Sequence, residues 1–385
     1  MTPVAHFAGA FATARRLSAL FALALLLAGC AAPTTRRADL DDALVREEAA
    51  RQREIALSSQ VEAQGRLSRV AYPLITAAVP FCGDKTTATL GVSFINRDSF
   101  TKEFRDAGVK LLGVGEAPRA IFLVPEGPAA RAGMAEGDVL LQVAGRDAPT
   151  GEGAGKALGK LLDEALEPGV PAVFKVRRDG AERLLDVTPD AGCDSPVALV
   201  GGDAVNAYAD GENVFVTRGM LRFVDSDREL ALVIAHEIAH NAMLHVESQR
   251  RNAMFGSIFD ILAAVYGVNT SGLFGNLAAQ TYSKEFEAEA DYIALYIMAR
   301  AGVPADNAAN FWRRMAAEHP SSIRGGLMAS HPASPERFLA IEKTLEEIAA
   351  KRAAGRPLEP EYKPDAILRR EPAADGPRTL NPSPR

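Results

Sequence analysis

The chain has 385 residues, of which 48% are hydrophobic and 24% charged, a composition typical of a globular protein. Its 43 basic and 49 acidic side chains give a net charge of −6, which excludes the basic surface expected of a nucleic-acid-binding protein. The length exceeds what a single hydrophobic core usually serves, so it predicts two domains with additional segments.

The N-terminus has the pattern of a secretory signal peptide. An arginine pair at residues 15–16 precedes an apolar run, residues 17–28, which is too short to cross a bilayer. The run leads into a Leu-Ala-Gly-Cys sequence that resembles the lipobox of bacterial lipoproteins. That resemblance implies that residues 1–29 are removed and that Cys30 carries the lipid, with Ala31 typical of sorting to the outer membrane. The alternative is an ordinary signal peptide with a chance cysteine.

Residues 30–83 are predicted to form a lipid-anchored helical segment. The stretch from Ala38 to Leu67 is rich in Ala, Glu, Arg and Gln and favours a helix. A second apolar piece, from Val70 to Val79, follows it.

Residues 84–192 change to a β-rich pattern. Val139–Val143 is a predicted strand, and an Asp-Gly turn at residues 179–180 joins two more, Ala172–Val176 and Leu184–Val187. A helix is predicted from Gly155 to Ala165, between the first of these strands and the second. This alternation indicates a separate small β-domain.

The same region resembles a bacterial PDZ domain. The resemblance rests on a strand at Ala120–Val124, on the Pro-rich and Gly-rich stretch after it, and on a carboxylate-binding loop. That loop comprises Leu90, Gly91, Val92, Ser93 and Phe94. Such a domain binds an extended C-terminal peptide as an added strand. The alternative is a structural β-domain that binds nothing.

Two of the three cysteines bracket this region. Cys82 precedes it and Cys193 follows it. In an oxidising compartment they can pair and join the two ends of the insertion, and this disulfide is the preferred interpretation. The alternative is two separate buried thiols.

A capped apolar helix carries the strongest chemical signal. Ser226 and Glu229 have the spacing of a capping box. His236 and His240 follow one turn apart on the same helical face, where two imidazoles can bind one Zn²⁺, and Glu237 beside them is a candidate general base. The alternative is a buried helix with two chance histidines, although the chain has only six.

A hydrolytic zinc site usually has three protein ligands and one open position. His245 is five residues beyond His240, about 140° further around a continuous helix, so it is predicted to be a surface residue or to act only indirectly.

A better third ligand lies in a later predicted helix. Glu287 and Asp291 are four residues apart and share a face. Glu287 can bind the metal, while Asp291 can accept a hydrogen bond from a ligating imidazole. Glu285 and Glu289 fit the alternative of an ordinary solvated helix surface.

These motifs resemble the HtpX-like and CAAX-prenyl-endopeptidase family of gluzincin zinc metallopeptidases. The resemblance covers about residues 196–350 and includes two upstream segments, 203–211 and 214–221, and a closing His-Pro…Arg segment, 331–337. Lys284 stands where the family usually has arginine, a departure that leaves the ligands unchanged.

The resemblance implies an α+β fold, with a mainly helical zincin-type metallopeptidase domain and a small β-sheet over residues 193–351. The PDZ-like domain is inserted before it, and a Pro-rich tail, residues 352–385, follows. One Zn²⁺ per chain is expected, with the ligands His236, His240 and Glu287, the base Glu237, the supporting residue Asp291, and His331 and Arg337 as candidate lining residues.

The function expected from these features is a zinc endopeptidase at the periplasmic face of the outer membrane, acting in envelope protein quality control. Its partners would be protein or peptide substrates, C-terminal peptides at the PDZ domain and a membrane reached through the lipid anchor. One alternative is a peptide-binding or chaperone-like lipoprotein whose zinc site is structural or blocked by a fourth ligand, His331 or His245. Another is a zinc hydrolase that does not cleave proteins.

The stretch from Met254 to Ala279 is apolar but interrupted by glycines, so it is not predicted to span a membrane. Its preferred interpretation is a core helix, Phe255–Tyr266, followed by a glycine-rich link. The alternative is a lid over the zinc site.

Overall fold

The computed structural model describes residues 35–36, 38–265, 270, 283–318, 331 and 334–363. The predicted signal peptide, Cys30, most of the glycine-rich link and most of the tail lie outside these described residues. Contacts divide the chain into two compact units, residues 1–52 and 53–385. Within the described part of the chain, no helix is both long and apolar enough to cross a membrane.

The described residues contain ten α-helices and eleven strands. The helices are α1 (Asp42–Ala77), α2 (Arg105–Leu112), α3 (Pro128–Arg131), α4 (Ala154–Ala165), α5 (Arg218–Phe223), α6 (Asp227–Ala242), α7 (His245–Val265), α8 (Ser283–Arg300), α9 (Ala308–Glu318) and α10 (Pro335–Ala353). The strands are β1 (Thr86–Thr89), β2 (Ser93–Ile95), β3 (Arg119–Ile121), β4 (Val139–Val143), β5 (Arg146–Asp147), β6 (Ala172–Arg178), β7 (Ala181–Val187), β8 (Asp190–Cys193), β9 (Val197–Val200), β10 (Ala207–Ala209) and β11 (Val214–Thr217).

The N-terminal helix α1 is a single helix where the sequence predicted two pieces. It continues past residue 67 because Leu67, Ala71 and Leu74 recur at helical spacing and are almost fully buried. Gly65 lies inside the helix, where a Cβ atom would stand 3.3 Å from the Phe122 ring. The glycine therefore allows the β-domain to pack closely against α1.

The β-domain is built on an antiparallel sheet with the order β2-β3-β4-β6-β7, in which β5 pairs with β4. The predicted strand Val139–Val143 is confirmed. The turn between β6 and β7 is also confirmed, since Asp179 and Gly180 both have positive φ, 50° and 81°, which suits a tight hairpin. The strand predicted over residues 120–124 was too long. It ends at Ile121 because Phe122 turns to a φ of 51°.

A buried ion pair ties two strands of this sheet together. Asp138, which is fully buried, precedes β4 and accepts hydrogen bonds of 2.7 Å from both Nε and Nη2 of Arg178 at the end of β6. The backbone N–H of Ala135 donates a third bond to the same carboxylate. The core beneath is formed by Leu140, Phe174 and other apolar side chains of the sheet.

The two ends of the β-domain meet at a short ribbon. β1 and β8 are antiparallel, with Thr86 opposite Cys193 and Thr89 opposite Asp190. A disulfide joins Cys82 to Cys193, whose Cα atoms are 5.8 Å apart. Chain entry and chain exit therefore lie side by side.

The C-terminal part packs helices beside a three-stranded sheet of order β10-β11-β9. β11 is antiparallel to β10 and parallel to β9. Helix α6 lies at the centre of this core, where Leu230, Ile234 and Ile238 are completely buried and α8 supplies Ile293 and Ile297. The fold class is thus the predicted mixture of helix and sheet.

The predicted start of α6 is confirmed with one change in its cap. Ser226 accepts a hydrogen bond from the backbone N–H of Glu229, as expected of a capping residue. The Glu229 carboxylate accepts from the N–H of Asp225 instead of from that of Ser226, and it also pairs with Arg314. The helix that carries the histidine motif is therefore fixed at its first turn.

Candidate metal centre

Helix α6 brings three functional side chains into the core. His236 and His240 are one turn apart, and their Nε2 atoms lie 3.1 Å from each other. His236, Glu237 and His240 are 0%, 2% and 6% exposed, so all three side chains are shielded from solvent. Two imidazoles that point their nitrogen atoms at one spot are suited to share a cation.

Helix α8 crosses α6 and adds carboxylates to the same spot. Oε2 of Glu287 lies 3.4 Å from Nε2 of His236, and its Oε1 lies 3.3 Å from Nε2 of His240. Asp291, one turn further, places Oδ1 3.0 Å from Nδ1 of His236. The structure thus brings together the five residues that the sequence analysis grouped on these two helices.

His331 completes the cluster. Its Nδ1 lies 3.0 Å from Oε2 of Glu287 and 3.4 Å from Nε2 of His236, while its Nε2 lies 3.5 Å from Oε1 of Glu237. The sequence analysis placed His331 near the site as a lining residue and as a candidate fourth ligand. His331 therefore adds a fourth candidate ligand atom, its Nδ1, to those of His236, His240 and Glu287.

The donor set fits a zinc ion. One ligand atom from each of His236, His240, Glu287 and His331 can be chosen so that all four lie within 4.8 Å of one another. The closest pairs are 3.0–3.4 Å apart. Four ligands about 2.0 Å from a tetrahedral zinc would be separated by roughly 3.3 Å. Three imidazole nitrogens and one carboxylate oxygen are also ligand types that zinc prefers.

The buried charges agree with a divalent cation. Among the described residues of the centre, Glu237, Glu287 and Asp291 are acidic and Arg337 is the basic partner, and each is at most 6% exposed. With the imidazoles neutral, as metal ligands must be, three negative charges against one positive leave two negative charges uncompensated. Because unbalanced charge is costly in a protein interior, a bound doubly charged cation would stabilise the arrangement.

Arg337, from α10, orients the two acidic residues of α8. Its Nη1 lies 2.9 Å from Oε2 of Glu287, and its Nε and Nη2 lie 2.5 and 3.0 Å from the two oxygens of Asp291. Burial alone raises the pKa of both carboxyl groups. The positive charges around them, above all His331 and Arg337 for Glu287 and Arg337 for Asp291, outweigh burial and hold each pKa below its ordinary value.

The imidazoles respond differently to the same surroundings. Burial lowers the pKa of His236, but Asp291 and Glu287 outweigh it and raise that pKa to about 9. The pKa of His331 is also raised, because Glu287 and Glu237 outweigh burial. Burial dominates at His240 and lowers its pKa. The pocket as a whole therefore attracts positive charge.

Trp312, which the sequence analysis did not single out, forms one wall of the centre. It lies on α9 with 5% of its surface exposed, and its ring centroid is 5.0 Å from that of His236. The Arg337 guanidinium lies over the same ring at 4.9 Å. The only signal available was that this is the one tryptophan of the chain.

His245 does not lie where the helical spacing predicted. Helix α6 ends at Ala242, and Leu244 adopts a φ of 56°, so α7 starts at His245 in a new direction. His245 is 1% exposed and contacts both His240 and Glu289. Glu289 is exposed, as expected, but its contact with His245 was not predicted.

Helix α7 also departs from the preferred interpretation of a core helix. It starts at His245, ten residues earlier than predicted, and five of its large apolar side chains are between 47% and 63% exposed, namely Met254, Phe255, Ile258, Phe259 and Ile261. The glycine-rich link that follows falls outside the described residues, apart from Thr270. The lid alternative therefore remains a hypothesis.

Comparison with known proteins points to the same chemistry. The chain is 31% identical over 195 residues to mitochondrial metalloendopeptidase OMA1 of Saccharomyces cerevisiae, covering 48% of this chain and 53% of that one. It is 33% identical over 134 residues to the beta-barrel assembly-enhancing protease of Yersinia pestis, covering 31% and 27% of the two chains. The chain thus spans about half or less of the length of these relatives.

A solved structure, the HtrA-type protease AlgW with a decapeptide, matches 28% of this chain and 30% of its own at 25% identity. The TM-score of 0.22 is too low to support an argument about the fold.

The His-His-Glu-His cluster is the kind of metal centre that metalloproteases have. Residues 182–371, just under half of the chain, match the model of peptidase family M48. Members of that family depend on zinc, in agreement with the ligand set of the centre.

Proposed function

We propose that the chain is a zinc-dependent endopeptidase in which His236, His240 and Glu287 hold the metal and Glu237 is the general base. The observation that carries this proposal is that the candidate ligand atoms converge beside Glu237, a buried glutamate that is not itself a proposed ligand. A divalent zinc in such a site supplies Lewis acidity, which polarises a carbonyl group and acidifies water.

The residues of the chain would divide the remaining work. Glu237 is placed to take a proton from the attacking water and to return it to the leaving amine. Asp291 holds the His236 ring in orientation, and Arg337 balances the charges of Glu287 and Asp291. Trp312 excludes solvent from the face of His236.

The decisive experiment compares the wild-type chain with Glu237→Gln. Because Glu237 is not a proposed ligand, the variant should retain zinc, measured by mass spectrometry, while casein cleavage falls by a factor of roughly 100 or more. Glu287→Ala should instead lose most of the metal. Full proteolysis by a zinc-loaded Glu237→Gln variant would refute the role of Glu237.

The cellular setting is a further part of the proposal. We place the enzyme at the periplasmic face of the outer membrane, anchored through Cys30, with envelope proteins as substrates and an HtpX-like origin of the catalytic domain. The lipobox-like sequence and the similarity to a beta-barrel assembly-enhancing protease support this setting. Cys30→Ser should abolish lipid labelling and leave the protein either uncleaved or free of the outer membrane, and unchanged fractionation with the outer membrane would contradict the anchor.

The PDZ-like role of the β-domain is proposed on the position of its loop. Leu90–Phe94 leads into β2 at the sheet edge, and no described strand pairs with the other side of β2. The loop is held by hydrogen bonds from Val124 to Gly91 and from Ala129 to Leu90. A peptide could therefore add as a strand at this edge with its carboxylate at the loop.

A second candidate function follows from His331. A hydrolytic zinc keeps one coordination position open, whereas four protein ligands are typical of a structural zinc. His331 reaches the place of a fourth ligand. This arrangement suits a peptide-binding or chaperone-like protein with a blocked zinc site, or a protease whose resting state is closed.

His331→Ala distinguishes the two functions. If the centre is a protease held closed by His331, the variant should retain zinc and cleave casein faster than the wild-type chain. If the zinc is structural, the variant should bind zinc more weakly and still cleave nothing.

A further inference from the structure

His240 has a second contact on the side of its ring that faces away from the cluster. Its Nε2 faces His236 and Glu287, while its Nδ1 lies 3.0 Å from Nδ1 of His245. The other nitrogen of His245, Nε2, lies 3.0 Å from Oε2 of Glu289. These contacts form a continuous chain from His240 through His245 to a carboxylate on α8.

The direction of each hydrogen bond in this chain follows from the last residue. A carboxylate accepts hydrogen bonds and does not donate them, so the proton of a neutral His245 lies on Nε2 and points to Glu289. Nδ1 of His245 is then an acceptor, and His240 must donate to it from its own Nδ1. The lone pair of His240 is left on Nε2, the atom that faces the cluster.

We infer that His245 and Glu289 are positioning residues that fix the tautomer and ring orientation of His240 for metal binding. This inference rests on the proposed function, because it takes His240 as a ligand. The two histidine ligands would then have separate supports from the same helix, since Asp291 contacts His236 directly and Glu289 reaches His240 through His245.

The packing around His245 suits a fixed role. The residue is 1% exposed, and its ring stacks on that of Phe286 with centroids 4.6 Å apart and an angle of 21° between the planes. It reaches this place because Leu244 takes a left-handed conformation, which is unfavourable for a residue with a side chain. The strained backbone at Leu244 is consistent with a functional role for the His245 side chain that follows it.

The contact through His245 also explains how Glu289 can influence His240. Residues two apart on a helix point about 160° away from each other, so Glu289 cannot reach the cluster alongside Glu287. His245 fills the intervening space and transmits the contact. The Glu289 side chain is 45% exposed, so its substitution should disturb the packing of the chain little.

The test measures zinc affinity by competition with a chelator in the full-length chain. Glu289→Ala and His245→Phe should weaken zinc binding by about 10–100-fold, the range for groups that orient a ligand. Glu289→Ala should fall at the lower end, because water can replace a half-exposed carboxylate. Glu289→Gln keeps an accepting oxygen and should restore most of the affinity. Glu285→Ala, an exposed change on the same helix, is the matched control and should bind as the wild type.

A spectroscopic measurement separates positioning from simple packing. The chain has six histidines, so the imidazole nitrogens of the zinc-loaded protein can be assigned by ¹⁵N NMR. We expect the proton of His240 on Nδ1 and that of His245 on Nε2, with the His245 signals shifted in Glu289→Ala. A proton on Nδ1 of His245, or wild-type zinc affinity in both Glu289→Ala and His245→Phe, would overturn the inference.

The outcomes also separate this inference from the proposed ligand set. If Glu287→Ala binds zinc as well as the wild-type chain, the ligand set itself is wrong and both proposals fail. If Glu287→Ala loses zinc while both Glu289→Ala and His245→Phe keep full affinity, only the positioning role fails. Should His245→Phe not fold, the three substitutions at half-exposed Glu289 and exposed Glu285 still decide the question.

Discussion

Asp291 contacts two different partners, and a substitution there has two consequences. Its carboxylate faces His236 on one side and holds Arg337 with both oxygens on the other. Truncation to alanine therefore removes the support of a proposed ligand and also leaves a buried guanidinium with one fewer partner. Loss of metal and loss of stability would then be mixed in one variant.

Asp291→Asn separates these effects. The amide preserves the shape and one accepting oxygen, but it lacks the charge that fixes the His236 imidazole. We expect zinc affinity to fall by about 10–100-fold, as for other residues that orient a ligand. Asp291→Ala should in addition lower the melting temperature of the metal-free chain, because removing one member of a buried pair costs roughly 3–5 kcal/mol. Asp291→Asn should lower it less, because the amide keeps one acceptor for Arg337, and a wild-type melting temperature for Asp291→Ala would contradict the role given to Arg337.

At this scale the sequence predicted a large part of the centre. His236, Glu237 and His240 follow from the period of a helix, and Glu287 with Asp291 follows from the same rule. The contributions of His245, Glu289 and Trp312 did not follow, because each depends on how separate elements pack. The rule that placed His245 away from the site assumed a helix that continues past Ala242.

That break between α6 and α7 shows how one residue redirects an element. Leu244 has no glycine-like freedom, and the sequence around it has no proline or glycine that would mark a helix end. Its φ of 56° ends α6 and begins α7. The strands and hairpin of the β-domain were easier to predict, since an Asp-Gly turn between β-branched and apolar runs is a strong local signal.

The pair formed by Asp138 and Arg178 gives a prediction for the β-domain. Burial raises the pKa of Asp138, but the Arg178 guanidinium and the Ala135 N–H outweigh it and keep this pKa below its ordinary value. Asp138→Ala should destabilise the domain by about 2–3 kcal/mol, below the usual cost of breaking a buried pair because Arg178 is partly exposed and can reach water. Asp186→Ala, an exposed acidic change on β7, should lie within about 0.5 kcal/mol of wild type.

The same pair fixes a pH dependence. Because the pKa of Asp138 is lower in the folded state than in the unfolded state, its contribution is complete above the unfolded pKa. It is lost as the pH falls through the folded pKa. Denaturant unfolding followed between pH 6 and pH 2 should show a smaller acid destabilisation in Asp138→Ala than in the wild-type chain. Identical pH profiles would mean that the pair contributes nothing.

For the molecule as a whole, the disulfide joins residues 111 positions apart. A crosslink that closes a loop of this length restricts the unfolded chain by about 4–5 kcal/mol in the chain-entropy account. Reduction should therefore lower the melting temperature and release two additional thiols in denaturant. The double variant Cys82→Ser and Cys193→Ser should melt at one temperature with or without reductant. Two titratable thiols beyond Cys30 in the unreduced, unfolded chain would contradict the bridge.

Composition and motifs predicted a β-rich region followed by a helical one, but they did not predict how the segments pack. The cysteines suggested a closed insertion, and the paired strands β1 and β8 beside them were not predicted. Strand pairing between residues about a hundred positions apart leaves no local periodicity to detect. The sequence analysis likewise divided the long helix α1 into two pieces. It could not show that Gly65 lies inside the helix, where the missing side chain makes room for the Phe122 ring.

The neighbouring ends of the β-domain have a consequence for gene rearrangement. Because the Cα atoms of Cys82 and Cys193 are 5.8 Å apart, a connector of two or three residues spans the distance. Residues 83–192 can in this sense be treated as a cassette. Another module with adjacent termini can be grafted at the same junction without stretching the helices and strands that flank it. Such an exchange replaces the β-domain and leaves the helices that carry His236, His240 and Glu287 unchanged.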